Sequence, residues 1–114
     1  MLDLPALQEE GGEQVSDATI MTVRTFRHGT DKECARKVPE EAAEAFSAWE
    51  TLSQSAVLDG IGFNTHIERY KTDLADELAD TITACANLAA RYGLDLQAAL
   101  DRVEQRNRER GRYQ

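Results

Sequence analysis

The chain has 114 residues, of which 41% are hydrophobic and 30% are charged, and its formal net charge at pH 7 is −8. This length predicts one domain with a modest core that gains from oligomerisation. The negative charge argues against a general affinity for nucleic acid or for an anionic membrane, and no apolar run approaches the ~20 residues of a membrane span.

The first part of the chain predicts an arm followed by a helix. Residues 1–14 combine a short apolar patch with two adjacent glycines, so we expect an arm that packs on a neighbouring subunit or frays. Ser16 or Asp17 can cap a first helix that ends near Arg27. Gly29 then marks a break.

A second helix is expected in the middle of the chain. Lys32 to Val38 forms a short helical stretch, and Pro39 begins the long helix, because proline suits the first helical turn. This helix ends near Gln54, and its inward residues are Ala42, Ala45, Phe46, Trp49 and Leu52. Residues 53–66 lack a helical period and contain two glycines, which predicts an irregular insert.

Two further helices complete the prediction of an all-α bundle of about four helices. The third covers about 66–92 and stops at Gly93, and Asp95 caps a fourth that runs to about Arg110. Their inward positions are Leu74, Leu78, Thr81, Cys85, Leu88 and Tyr92 on the third helix and Leu96, Ala99, Leu100 and Val103 on the fourth. The two cysteines, Cys34 and Cys85, are expected to be reduced, and without a secretory signal this favours the cytoplasm.

Two acidic motifs carry the functional signal. The first is Glu-Glu-Ala-Ala-Glu, with Glu40, Glu41 and Glu44, and the second contains Glu77 and Asp80. Residues three apart share a helix face, and like charges at that spacing cost roughly a few tenths of a kcal/mol. Such pairs on two helices invite a common counter-charge, and carboxylate oxygens suit a hard cation such as Mg2+.

The position of Glu77 strengthens this interpretation. At about 100° per residue, Glu77 lies roughly 60° from the centre of the apolar stripe on its helix, where an unpaired carboxylate is costly. The alternative is that the motif is a solvated face, since the chain has 21 Asp and Glu. Glu40 and Glu41 near a helix start would then only complement the helix dipole.

Other residues add or exclude functions. The absence of a Gly-x-x-x-x-Gly-Lys-Ser/Thr motif excludes a P-loop. Neither histidine forms a Glu-x-x-His pair, which argues against a di-iron carboxylate bundle. Phe63 and Tyr70, beside the insert, are candidates to stack on a base.

The order of these motifs resembles the MazG-like all-α NTP pyrophosphatases. Lys-x-x-Glu-Glu-x-x-Glu, Glu-Leu-Ala-Asp, a Gly-Leu-Asp turn and a closing helix with Asn107 and Arg110 carry the resemblance, over about residues 16–112. The superfamily also holds dimeric dUTPases and phosphoribosyl-ATP pyrophosphohydrolases. Residues 15–114 would be the catalytic domain, completed as a homodimer or homotetramer. The 53–66 insert makes the gap between the acidic motifs longer than usual for the family.

The resemblance implies specific roles. Mg2+, which Mn2+ can replace, would be held by Glu41, Glu44, Glu77 and Asp80. Glu40 or Glu44 would accept the proton of the attacking water, and the substrate phosphates would contact Lys37, Asn107 and Arg110.

The implied activity is hydrolysis of a nucleoside triphosphate or deoxynucleoside triphosphate to the monophosphate and pyrophosphate, in nucleotide-pool house-cleaning. One alternative is a phosphoribosyl-ATP pyrophosphohydrolase-like enzyme. The other is a non-catalytic helical interaction module, in which the carboxylates are solvated or bind a structural cation.

Overall fold

The computed structural model describes residues 22–27, 29–60 and 66–114, apart from the side chain of Asp59. This part of the chain contains three helices, α1 (Asp31–Gly60), α2 (Ile67–Arg91) and α3 (Leu96–Glu109). It contains no strand, so the predicted all-α class is confirmed. Within the same ranges, no helix is long and apolar enough to cross a membrane. The chain divides into two compact units, Val23–Leu94 and one that includes Asp95–Gln114.

The start of α1 is fixed by a reciprocal capping arrangement. The Glu33 backbone N–H donates to Thr30 Oγ1 at 3.2 Å, and the Thr30 backbone N–H donates to Glu33 Oε1 at 2.8 Å. This pairing satisfies two amide donors that the first helical turn leaves without partners. Gly29, at φ +57°, makes the turn into the helix. The helical stretch predicted from Lys32 to Val38 is therefore confirmed as part of α1, which begins at Asp31.

One helix replaces the two that the sequence predicted around Pro39. Pro39 lies inside α1 and does not begin a new helix, although an internal proline costs a backbone hydrogen bond. Cys34 lies before the proline and Ala45 after it, and both are buried. Because both segments bury the same face, packing holds the helix continuous across Pro39.

The C-terminal half of α1 also differs from the prediction. The helix continues to Gly60, six residues past the expected end at Gln54, so residues 53–60 of the predicted insert are helical. Residues 61–65, with Phe63, lie outside the described residues, and α2 begins at Ile67. Ser55, which we placed in the insert, is 4% exposed, whereas Val57 and Leu58 are 64% and 45% exposed, so burial accounts only for the first turn of this extension.

The boundaries of α2 and α3 agree with the sequence. Tyr92 is the C-cap of α2, and Gly93 follows at φ +64°, a conformation that favours glycine. Asp95 caps α3, since its side chain accepts a hydrogen bond from the Ala98 backbone N–H at 3.0 Å.

The prediction of the first helix is wrong for the C-terminal end of that helix. Residues 22–27, which were expected to be helical, have no regular secondary structure. The Phe26 backbone N–H donates to Asn87 Oδ1 on α2 at 2.9 Å, which holds this segment through a side chain in place of a helical bond. The remainder of that helix and the predicted arm of residues 1–14 lie outside the described residues.

The interface between α1 and α2 is made of small side chains. The buried hydrophobic residues of the described chain are Cys34, Ala45, Ala84 and Ala89, and small residues allow two helices to approach closely. Phe46 and Trp49, which we predicted to face inward, are 59% and 50% exposed and stack on each other with ring centroids 5.6 Å apart. The prediction was wrong because a helical period identifies an apolar stripe but not the part of it that meets the neighbour.

The same correction applies to some positions on the other helices. Several positions that were predicted to face inward are exposed. They are Leu78 on α2, Tyr92 at the C-cap of α2, and Leu96, Leu100 and Val103 on α3. Leu74, Thr81, Cys85 and Leu88 of α2 are half-buried, in agreement with the sequence. Neither cysteine forms a disulfide.

Candidate functional site

Three of the predicted metal ligands come together between α1 and α2. One carboxylate oxygen from each of Glu41, Glu77 and Asp80 lies within 4.8 Å of the other two. Glu41 comes from α1, and the other two come from one face of α2, where their spacing of three residues places them side by side. The arrangement is therefore a product of two helix faces that meet.

Two of these carboxylates have oxygens that the protein itself does not satisfy. Glu41 is only 9% exposed, and its Oε1 accepts no hydrogen bond from any group in the described ranges. Glu77 Oε1 is likewise buried and without a donor in the described part of the chain. Buried polar atoms normally have partners, so three converging carboxylates, two of which carry an unsatisfied buried oxygen, fit the ligand set of a divalent cation.

The electrostatics of Glu77 reflect this crowding. Burial is the main cause that raises the pKa of Glu77 above its ordinary value, followed by the negative charges of Glu44, Asp80 and Glu41. A hydrogen bond shared with Glu44 acts in the same direction. The site therefore resists full ionisation until a positive charge compensates it.

Lys37 supplies such a charge within α1. Its Nζ lies 3.0 Å from Glu41 Oε2, one turn further along the helix, and 4.0 Å from Glu40 Oε1. The hydrogen bond to Glu41, together with the negative charge of that group, raises the pKa of Lys37. The lysine thus compensates the charge of Glu41 at Oε2, while Oε1 stays without a donor from the described residues.

The remaining predicted residues occupy different places. Glu44 is exposed and lies against Glu77, but it is not one of the three residues whose oxygens converge. Glu40 is half-exposed, is also outside the three-residue cluster, and lies beside Lys37. Asn107 and Arg110 lie at the C-terminal end of α3, where Asn107 Nδ2 donates to the Tyr113 hydroxyl at 3.4 Å and Arg110 is the C-cap.

Three cavities are relevant to the carboxylate cluster. Two are lined by residues of the cluster, and the third shares lining residues with one of these two. A small one of about 160 Å³ is lined by Phe26, Lys37, Glu41, Asp80, Thr83 and Asn87. A larger one of about 520 Å³, here called the Phe26 cleft, is lined by Phe26, Arg27, Asp31, Cys34, Asn87 and Arg91. The third, of about 500 Å³ and here called the acidic groove, is lined by Glu44, Ser47, Thr51, Tyr70, Asp73 and Asp76, together with Glu77.

Sequence reasoning missed two residues that shape these cavities, Phe26 and Asn87. Both line the small cavity and the Phe26 cleft. Asn87 is seven residues after Asp80, which is two helical turns, and it is the only amide side chain in the apolar run from Ala84 to Ala90. An amide side chain in an apolar stretch, on the same helix face as a predicted metal ligand, was the sequence signal that could have identified Asn87.

Comparison with known proteins identifies the family. The family model described as "PRA-PH: Phosphoribosyl-ATP pyrophosphohydrolase" matches residues 7–107, which contain both acidic motifs. No curated protein and no solved structure matches the chain. The family match covers most of the chain, and the all-α fold agrees with it. The chain therefore belongs to the phosphoribosyl-ATP pyrophosphohydrolase family of all-α nucleotide pyrophosphohydrolases.

Proposed function

We propose that this protein is a Mg2+-dependent nucleotide pyrophosphohydrolase. It cleaves a 5′-triphosphate between the α- and β-phosphates and releases a nucleoside monophosphate and pyrophosphate. The observation that carries the proposal is the convergence of Glu41, Glu77 and Asp80, with two buried oxygens that accept no hydrogen bond from the described residues. Membership of a pyrophosphohydrolase family supports the same reaction.

The metal would be held by Glu41, Glu77 and Asp80, and Glu44 would join through its neighbour Glu77. Mn2+ would be able to replace Mg2+, because both prefer carboxylate oxygens. When bound, the cation supplies charge neutralisation for the triphosphate and for the charge that develops on the leaving pyrophosphate.

Glu44 is the better of the two candidates for the general base. It borders the acidic groove next to Glu77, where a water molecule has access to both carboxylates. Glu44 is therefore placed to accept a proton from such a water molecule. Glu40 lies on the other side of Lys37 and is half-exposed, so we assign it an indirect role, in which it orients Lys37.

The phosphates would be bound by basic side chains. Lys37 already lies at the edge of the carboxylate cluster and lines the small cavity, so its ammonium group is placed to contact a phosphate oxygen. Asn107 and Arg110 of α3 are proposed as further phosphate ligands because of the resemblance described above. An arginine suits this role because its planar donors match phosphate oxygens.

Two substrates satisfy the proposed chemistry. Ordinary nucleoside and deoxynucleoside triphosphates are the substrates that the MazG-like motif order implies. Phosphoribosyl-ATP carries the same triphosphate, and the family match favours it at least as strongly. The carboxylate cluster acts on the triphosphate alone, so the choice between these substrates depends on the residues that surround the base.

We further propose that the protein assembles as a homodimer or homotetramer. Phe46 and Trp49 on α1 and Leu78 and Ile82 on α2 are 39–59% exposed. By helical angle, both pairs lie on the side of the α1–α2 layer away from Lys37, Glu44 and Asp80. An apolar face of this kind is typical of a subunit interface.

The test is pyrophosphate release in the presence of Mg2+. The panel contains the ribo- and deoxynucleoside triphosphates and phosphoribosyl-ATP, and Glu41→Gln is the negative control, with Mg2+ binding measured in parallel by calorimetry. We expect the wild-type protein to release pyrophosphate and a monophosphate in equal amounts from one or a few members of the panel. Glu41→Gln should keep its fold and lose turnover by at least about 100-fold, as expected when a group that stabilises the transition state is removed.

The other outcomes separate the alternatives. Turnover of phosphoribosyl-ATP alone would assign the substrate of the family name, whereas turnover of common nucleotides would assign a pool-cleaning role. No turnover, together with no Mg2+ binding, would reject the enzyme. Unfolding of both Glu41→Gln and Asp80→Asn would instead indicate a structural role for the carboxylates, as in a helical interaction module.

A further inference from the structure

We propose that the Phe26 cleft binds the nucleoside part of the substrate, with Phe26 stacking on the base and Asn87 donating a hydrogen bond to it. This inference rests on the proposed function and names the residues that would determine its specificity. The cleft and the small cavity beside the carboxylates share both residues. A nucleotide whose phosphates lie near Lys37 and Glu41 can therefore extend past Phe26 and Asn87 into the cleft.

The size of the cleft fits this role. Its volume of about 520 Å³ is within the range of small-molecule sites and is much larger than a pyrophosphate group needs. Asp31 lies ten residues before Glu41 on α1, a distance of about 15 Å along the helix axis. The far wall of the cleft is thus separated from the carboxylates by about the length of a nucleotide.

Asn87 is the observation that points most directly to a ligand. The side chain is 7% exposed, and its Oδ1 is occupied by the Phe26 backbone N–H at 2.9 Å. Its Nδ2 group donates to no acceptor in the described ranges, although Asn87 lines both cavities. An amide whose oxygen is fixed by the Phe26 N–H and whose nitrogen is open to the cavities can donate to a carbonyl or ring nitrogen of a base.

Phe26 supplies a stacking surface at the same place. Its side chain is 59% exposed at the mouth of the cleft, and the hydrogen bond to Asn87 holds its backbone in position. An aromatic ring can stack on the face of any nucleobase, whichever base it is. Arg91 is engaged in an ion pair with Asp31 across the cleft, so Arg27 contributes the remaining charge of the lining.

The acidic groove is the competing location, because Tyr70 lines it. The charged groups that line this groove are all carboxylates, those of Glu44, Asp73, Asp76 and Glu77. A nucleotide that entered from this side would pass its phosphates along those negative charges, whereas the path to the Phe26 cleft passes Lys37. We therefore assign the nucleoside to the Phe26 cleft and expect water to enter through the groove.

The experiment compares Phe26→Leu and Asn87→Asp with two controls. Asn87→Asp keeps an oxygen that can accept the Phe26 N–H and removes the Nδ2 donors. Phe46→Leu is the matched control for Phe26→Leu, since both phenylalanines are 59% exposed, and Tyr70→Leu tests the groove. For each variant, KM and kcat are measured with the panel nucleotide that the wild-type protein hydrolyses fastest, and the inhibition constant is measured for inorganic tripolyphosphate, which has no nucleoside.

We expect Phe26→Leu and Asn87→Asp to raise the KM for the nucleotide by about 5- to 50-fold, the range that loss of one stacking or hydrogen-bonding contact allows. The inhibition constant of tripolyphosphate should stay within about twofold of the wild-type value for Phe26→Leu, which adds no charge beside the phosphates, and Phe46→Leu should leave both constants unchanged. An equal loss for tripolyphosphate would overturn the inference, because the residues would then act on the phosphates. The inference would also be overturned if Tyr70→Leu raised the KM for the nucleotide and Phe26→Leu did not. If the wild-type protein hydrolyses no nucleotide at all, the proposed function itself fails, which is a separate result.

Discussion

Lys37 Nζ lies 3.0 Å from Glu41 Oε2, while the other oxygen of Glu41 accepts no hydrogen bond from the described residues. This buried carboxylate is thus compensated by a lysine on its own helix, and it also lies in a cluster with the carboxylates of Glu77 and Asp80. The ammonium group of Lys37 therefore compensates the charge of Glu41 when no metal is bound. The same group is also placed to contact a substrate phosphate.

Replacing Lys37 by Met should therefore destabilise the metal-free protein and increase the stabilisation that Mg2+ provides. Without the lysine, Glu41 is buried and uncompensated, and the bound cation is the remaining source of positive charge. The measurement is the melting temperature Tm by calorimetry with EDTA and with saturating Mg2+. Lys71→Met is the control, since Lys71 pairs with Glu68 at an exposed position 3.3 Å away. Equal changes in Tm for the two variants would contradict the role given to Lys37.

Replacing Glu77 by Gln should raise the Tm of the metal-free protein and weaken Mg2+ binding by more than about tenfold. The folded-state pKa of Glu77 is raised by burial and by its neighbours. Its contribution to stability is therefore fully present below the unfolded-state pKa and is lost as the pH rises through the folded-state pKa.

The pH dependence of unfolding in EDTA checks this prediction. In the wild-type protein, the Tm should fall as the pH rises through the folded-state pKa of Glu77, and Glu77→Gln should remove that fall. Asp101→Asn is the control, because Asp101 is an exposed carboxylate on α3 that accepts a hydrogen bond from Gln97. Mg2+ should reverse the ranking of wild type and Glu77→Gln. A Glu77→Gln protein that is less stable than the wild type in EDTA would contradict the proposed repulsion.

Glu44→Gln should lower kcat by about 100- to 10,000-fold, the usual contribution of a general base, and should change Mg2+ affinity far less than Glu77→Gln does. Glu40→Gln should lower kcat by less than about tenfold, because Glu40 lies outside the three-residue cluster and acts through Lys37. The measurements are steady-state kinetics with the best nucleotide of the panel and calorimetric Mg2+ titration. A larger loss of kcat in Glu40→Gln than in Glu44→Gln would reverse the two assignments.

Phe46→Glu should reduce the mass of the particle in solution, measured by light scattering after size-exclusion chromatography. The ring of Phe46 stacks on Trp49 in the exposed apolar face of α1, and a charge there cannot be buried between subunits without a large cost. Thr51→Glu adds the same charge at an exposed position of α1 that lies roughly 140° from Phe46 around the helix and should leave the mass unchanged. An unchanged mass for Phe46→Glu would exclude this face as the subunit interface.

The sequence by itself determined the helical class, the boundaries of α2 and α3, and the shared helix face of Glu77 and Asp80. These features depend on local chemistry, such as the Asp95 cap, the turn at Gly93, and the three-residue spacing of Glu77 and Asp80. A cap or a shared helix face is fixed by residues a few positions apart, so it can be read from the chain directly.

Only the tertiary structure decided which faces meet. The continuity of α1 through Pro39 depends on the burial of Cys34 and Ala45 against α2, which no local rule contains. The helical period predicted Phe46 and Trp49 as core, whereas α2 packs on the small residues beside them. The bond between Phe26 and Asn87 joins positions 61 residues apart, and a contact of that separation exists only once the helices have packed.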